Sequence, residues 1–101
     1  MITDIPKLVK DRVKQLDPTA EVYLFGSRAR KDHKNDSDWD FLILTEKKVD
    51  QKLKNQITDV LFEIELELGQ GLSSIVQNKK EWLELVDIPI YQNINKESIR
   101  I

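Results

Sequence analysis

The chain has 101 residues, no cysteine, and 18 acidic side chains against 16 Lys and Arg, a net charge of −2 at pH 7. That length supports one core, so residues 1–101 read as a single domain. Disulfides and thiolate metal sites are excluded, and the near balance of charge speaks against general nucleic-acid binding, whose usual footprint is a basic stripe. The longest unbroken apolar run, Phe41 to Leu44, is too short to cross a bilayer, and Asp4 and Lys7 stand where a secretory leader would be apolar. No membrane span or signal peptide is expected, and the cytoplasm is the default location.

Ile5, Leu8, Val9, Val13 and Leu16 recur at helical spacing, with Asp4 as N-cap and Pro6 in the tolerant first turn. Asp17-Pro18 ends this helix, because the residue before proline is pushed out of the helical region. A strand follows over Glu21 to Phe25, breaks at Gly26 and turns into a short helix starting near Ser27. Lys31 to Ser37 is a polar loop, and Trp39 to Leu44 a second strand. Val49 to Leu68 carries another helical stripe, with Gly69 as its stop. Gly71 to Val76 reads as a third strand. Asn78 and Glu81 resemble a capping box for a short helix that buries Trp82, Leu85 and Val86. Beyond Pro89, Ile90, Tyr91 and Ile94 suggest one or two further helical turns, and Ile99-Arg100-Ile101 alternates like a terminal strand. Trp39, Phe41, Phe62 and Trp82 are expected in the core. This order suits a two-layer α/β domain, a small mixed sheet with helices mainly on one face and the other left for a cleft.

The chemistry concentrates between Val22 and Leu44. A strand that ends in glycine and opens directly into a helix exposes free backbone N–H groups, and Gly26 lets a ligand approach them closely. The Ser27 hydroxyl adds a donor. On the second strand Asp38 and Asp40 are two residues apart, so their carboxylates leave one face while Trp39, Phe41 and Ile43 leave the other. Two adjacent anions repel, and the pair makes sense mainly as ligands for a hard cation such as Mg²⁺, which takes one or two carboxylates plus substrate phosphates.

Gly26-Ser27, ten intervening residues and Asp38-x-Asp40, each on the expected strand, resemble the signature of the polymerase-beta-like nucleotidyltransferases. The closest resemblance is to the minimal nucleotidyltransferases, small proteins often encoded beside a HEPN-family partner. The resemblance implies that the polymerase-beta-like fold occupies the whole chain as one minimal domain. It also implies transfer of a nucleoside monophosphate from a nucleoside triphosphate, expected to be ATP, to a hydroxyl. Gly26 and Ser27 would hold the terminal phosphates, and Asp38 and Asp40 would be the catalytic carboxylates holding Mg²⁺ or Mn²⁺. Arg28 and Arg30 point in different directions, so only one is expected at the phosphates and the other beside an acid such as Asp36. His33, in the polar loop, reads as solvated.

The family usually adds a third carboxylate on the strand after the long helix. Here that strand offers Ser73 and Ser74, which bring no charge and are poor general bases. Glu65 and Glu67 are the nearest acidic substitutes in sequence, though both read more simply as surface acids. Lys31 stands where relatives more often carry glycine, and lysine there is strained by about 1 kcal/mol if the backbone needs positive φ. Two functions therefore stay open. One is a transferase, slowed by the missing carboxylate, that modifies a protein partner. The other is a non-catalytic, antitoxin-like subunit of a HEPN pair that binds nucleotide without turnover. Transfer to a small acceptor such as an aminoglycoside is disfavoured because no second domain is present to hold it.

Overall fold

The computed structural model describes residues 4–101. The Asp4 carboxylate accepts a hydrogen bond from the Lys7 N–H at 3.1 Å and starts helix α1 (Ile5–Leu16), which runs to Asp17 in extended conformation. Strand β1 (Glu21–Phe25), the one-turn helix α2 (Ser27–Arg30) and strand β2 (Trp39–Thr45) follow. Helix α3 (Gln51–Leu68) begins later than its apolar stripe does. Asp50 accepts the Leu53 N–H at 2.9 Å and so fixes the first turn, leaving Val49 outside. Gly69, at φ 66°, closes α3 in the left-handed conformation expected of it. Strand β3 (Leu72–Asn78) runs two residues further than its apolar part, to the point where Asn78 caps helix α4 (Lys79–Leu85) by accepting from the Lys80 and Glu81 N–H groups. Helix α5 (Pro89–Glu97) and the two-residue strand β4 (Ile99–Arg100) complete the chain.

The four strands form one mixed sheet in the order β3-β2-β1-β4. β1 is antiparallel to both β2 and β4, whereas β2 and β3 are parallel and joined by the α3 crossover. Strand alternation divides the core. Val22, Phe41, Ile43 and Val76 point to one face, where Val9 and Val13 of α1 and Leu53, Ile57, Leu61 and Ile64 of α3 cover them. Leu42 and Leu44 point to the other, under Trp82 and Ile94 from α4 and α5. The two longest helices thus share a face, as expected. The opposite face is less bare than the sequence suggested, because α4 and α5 cover it over Leu42 and Leu44. The end of that face at Asp40 and Ser73 stays open. Phe62 departs from expectation. It is 55% exposed, since it stands off the stripe of Leu53, Ile57, Leu61 and Ile64 that α3 buries. No helix among the described residues is long and apolar enough to cross a membrane.

One buried acid ties α1 to the sheet. Asp17, 1% exposed, accepts from the Thr19 N–H and hydroxyl at 3.0 and 2.6 Å and from the Thr45 hydroxyl. Burial pushes its carboxyl up, but the hydrogen bonds from Thr19 and Thr45 outweigh burial and hold it below the usual carboxylate value.

Candidate active site

The site lies where β1 ends beside β2. Register pairs Phe25 with Asp40 and Asp40 with Ser73, so the last residue of β1, the second residue of β2 and the second residue of β3 stand in one row across the sheet. Gly26 follows at φ 76°, ψ −160°, a conformation that side chains resist, and turns the chain into α2. A second constraint acts there. The Asp40 carboxylate lies against the Gly26 Cα, in the space that a Cβ would need. Gly71 has the same relation to Asp38: its missing Cβ is the space that the Asp38 carboxylate fills, and its carbonyl accepts the Trp39 N–H at 2.9 Å. Each carboxylate of the Asp38-x-Asp40 pair is thus seated on a glycine. Neither contact is marked in the sequence, where Gly26 reads as a turn that a ligand can approach and Gly71 as an ordinary residue at a strand start.

The two serines of β3 separate cleanly. Ser73 shares the face of Asp40 and donates its hydroxyl to Asp40 Oδ1 at 2.5 Å. Ser74, opposite Phe41, is on the α1 and α3 face and cannot stand in for a third ligand. Nor can Glu65 and Glu67 of α3. Glu65 Oε1 accepts the Leu72 N–H at 2.8 Å, and Glu67 pairs with Arg12 at 3.1 Å. Both are held on the helical side of the sheet. No cluster of three or more metal-ligating side chains occurs among the described residues. Two carboxylates and one hydroxyl form a hard-oxygen set, which suits a cation whose other ligands come from phosphates and water.

The two arginines of α2 diverge. Arg28 reaches back over the loop that leads into β2, donating from Nε and Nη2 to the Ser37 carbonyl and from Nη2 to the Asn35 carbonyl. Its guanidinium also lies 4.4 Å from the centre of the Trp39 ring, a cation–π contact. Arg30 points the other way and pairs with Asp32 at 3.0 Å and Glu97 at 2.9 Å. The acid partners are therefore Asp32 and Glu97 rather than Asp36. Glu97 also accepts the Gly26 N–H at 3.1 Å. Its approach is invisible in the linear sequence, because 71 residues separate it from Gly26. Lys31, at φ 64°, occupies the left-handed position anticipated for it. His33 is exposed. Ser27 is half-buried at the start of α2, its carbonyl accepting from the Asp32 N–H at 3.2 Å.

The site is an open shelf. A recess of about 290 Å³ lies further along the same sheet face, between Tyr23, Leu42 and Leu44 of the sheet and Trp82 and Asn95 of the helices.

Residues 6–99 match the family model of the nucleotidyltransferase domain. Two crystal structures share the fold. A toxin-antitoxin with AMP-PNP superposes with a TM-score of 0.63 at 15% identity, over 91% of this chain and 68% of that one. A Sulfolobus solfataricus protein provisionally described as a nucleotidyltransferase gives a TM-score of 0.60 at 22% identity, over 91% of this chain and 71% of that one. Curated proteins give no match. Because the family match runs nearly end to end and takes in the glycine turn, the paired carboxylates and the sheet that carries them, the chain belongs to the nucleotidyltransferase-domain family.

Proposed function

We propose that the chain is a minimal nucleotidyltransferase that moves a nucleoside monophosphate from a nucleoside triphosphate, ATP in the first instance, to a hydroxyl on a protein partner. The observation that carries this reading is the seating of Asp40 against Gly26. It brings a carboxylate shelf and the glycine turn that opens α2 within one side chain of each other, as a triphosphate with its cation requires. In the reaction the acceptor oxygen bonds to the α-phosphorus, the bond from that phosphorus to its bridging oxygen breaks, pyrophosphate leaves, and the hydroxyl proton passes to solvent.

Gly26 and Ser27 would hold the phosphates, with Arg30 beside them, while Arg28 would keep the loop and β2 in place. Asp38 and Asp40, with the Ser73 hydroxyl, would hold Mg²⁺ or Mn²⁺. Such a cation supplies charge neutralisation on the phosphates and fixes their geometry. Ser73, where the family's third carboxylate is expected, is a weak base for the attacking hydroxyl's proton, and turnover should be slow.

A second reading is favoured by that same serine: a nucleotide-binding, non-catalytic subunit of a HEPN pair. The toxin-antitoxin with AMP-PNP, similar in fold, supports a protein partner and a nucleotide under either reading. Both readings put the chain, as one domain over residues 1–101, in the cytoplasm, where nucleoside triphosphates are supplied.

Thermal unfolding with MgATP tests the shared part. At a hundredfold excess over the dissociation constant, binding adds about 2.7 kcal/mol of stability, and this gain should vanish in the D38A/D40A variant. Absence of a shift with all four triphosphates would sink both readings. Intact-mass measurement of a co-expressed HEPN partner separates them: added nucleotide mass supports the transferase, and an unmodified complex supports the binding subunit.

A further inference from the structure

Glu97 is the last residue of α5, and the segment beyond it fixes where it sits. The Ser98 N–H and hydroxyl both donate to the Ile94 carbonyl, at 3.0 and 2.5 Å, and end the helix. Strand β4 then runs antiparallel to β1, pairing Ile99 with Leu24 and Arg100 with Tyr23, and the Ile101 N–H donates to Val22. Carried two steps beyond the ladder, that register brings Glu97 opposite Gly26. Its carboxylate bridges two donors. Oε1 accepts from the Gly26 N–H at 3.1 Å, and Oε2 accepts from Arg30 Nη1 at 2.9 Å. The side chain is 24% exposed, so it lies against the turn with only one side toward solvent.

We propose that Glu97 is a built-in competitor for the phosphates: its carboxylate holds the donors of the Gly26 turn while no nucleotide is bound and must swing away for a triphosphate to enter. The inference rests on the nucleotide reading above and deepens it by naming how access to the site is controlled. A carboxylate and a phosphate oxygen make the same demand on an N–H and a guanidinium, and the Gly26 N–H cannot satisfy both at full strength. Rotation of one side chain is enough to open the cradle. Arg30 then keeps its contact with Asp32, and β4 keeps its pairing with β1. Because the open form is only a fraction of the molecules, apparent affinity falls by that fraction. A partner that draws α5 or β4 outward would raise affinity without touching the nucleotide.

Calorimetric titration of the full chain and of its E97Q and E97A variants with MgATP, or with whichever of the four triphosphates the wild type binds, tests this. Removing the competing charge should tighten binding about tenfold in E97Q if the cradle is open in roughly a tenth of wild-type molecules, and at least as much in E97A. In the wild type, nucleotide should also move the ¹³C resonance of the Glu97 carboxyl. Equal or weaker binding in both variants would overturn the proposal and make Glu97 a residue that positions Arg30. Should the variants fail to fold, the carboxyl resonance still decides: a signal that stays put while the wild type saturates rejects displacement. No binding by any of the three folded chains overturns the nucleotide reading itself.

Discussion

Single residues set the tolerance of this site. Gly26 and Gly69 both hold positive φ, at 76° and 66°, but Gly69 is left-handed and a Cβ there would meet nothing within 4 Å, whereas Gly26, at ψ −160°, lies outside that region and a Cβ there would enter the Asp40 carboxylate. Gly69→Ala should therefore cost only the conformational strain, about 1–2 kcal/mol. Gly26→Ala should add overpacking of about 1–3 kcal/mol to a backbone strain at least as large. Chemical denaturation of the two variants measures the difference, and an Asp40→Ala background should return part of the excess. If Gly26→Ala costs no more than Gly69→Ala, the carboxylate is not wedged against the turn. Lys31 provides the opposite experiment. It holds φ 64° without being glycine, so Lys31→Gly should stabilise by about 0.5–1 kcal/mol, the relief of strain exceeding the added freedom of the unfolded chain. Any stabilisation would appear as a higher denaturant midpoint at unchanged slope.

At the scale of elements, strand alternation decides what each residue of β3 can do. Ser73 shares a face with Asp40, and Ser74 faces α3. Ser73→Asp puts a third carboxylate beside the pair. The repulsion should lower the melting temperature in chelator and make it rise steeply with added Mg²⁺. Ser74→Asp places a charge among residues of the helical face and should lower stability regardless of metal. A metal-dependent rise in the Ser74 variant, or its absence in the Ser73 variant, would reverse the assignment of faces. Such alternation was legible in advance for β2, because Asp40, and Asp38 just before the strand, alternate with Trp39, Phe41 and Ile43. It was not legible for β3, where two adjacent serines carry no polarity difference to say which points inward. Helix starts were legible where Asp4 and Asn78 cap the first turn, whereas the start of α3 at Asp50 was not, because Val49 continues its apolar stripe on the far side of the cap. The covering of the second sheet face by α4 and α5 was not, because Leu42 and Leu44 need a cover that the sequence does not assign. Glu97 and Gly71 were missed for a related reason. Their roles are made by contacts with residues distant in sequence, Gly26 and Asp38, and nothing local marks them.

Across the whole molecule, charge sets the acid limit of stability. Asp17 is held below its usual value chiefly by Thr19 and Thr45 against the opposing effect of burial. Glu21 is lowered first by the Tyr23 hydroxyl, which donates at 2.7 Å, and then by Lys79. For a carboxyl depressed in the fold, the stabilisation is complete above its unfolded value, near 3.8 for Asp17 and 4.5 for Glu21. It is lost as pH falls through the folded value, because the unfolded chain takes up the proton first. Acid also removes the balance of charge. With all 18 acidic side chains protonated, the 16 Lys and Arg and the single His are left unopposed on 101 residues, and their mutual repulsion favours the expanded chain. Stability should therefore be flat between about pH 5 and 8 and fall steeply below about pH 4.5. Asp17→Asn separates the two causes. It keeps a carbonyl oxygen for Thr19 and Thr45 but forfeits the charge, so stability at pH 7 should drop by about 1–3 kcal/mol, the range for a buried group whose hydrogen bonds are weakened. The gap to the wild type should then close as pH approaches 3, leaving only the slope due to repulsion. Urea melts of both chains at half-unit steps from pH 3 to 8 give the measurement. A gap that stays constant to the lowest pH would mean that the Asp17 carboxyl titrates alike in the folded and the unfolded chain, so that the Thr19 and Thr45 hydrogen bonds do not favour its charged form.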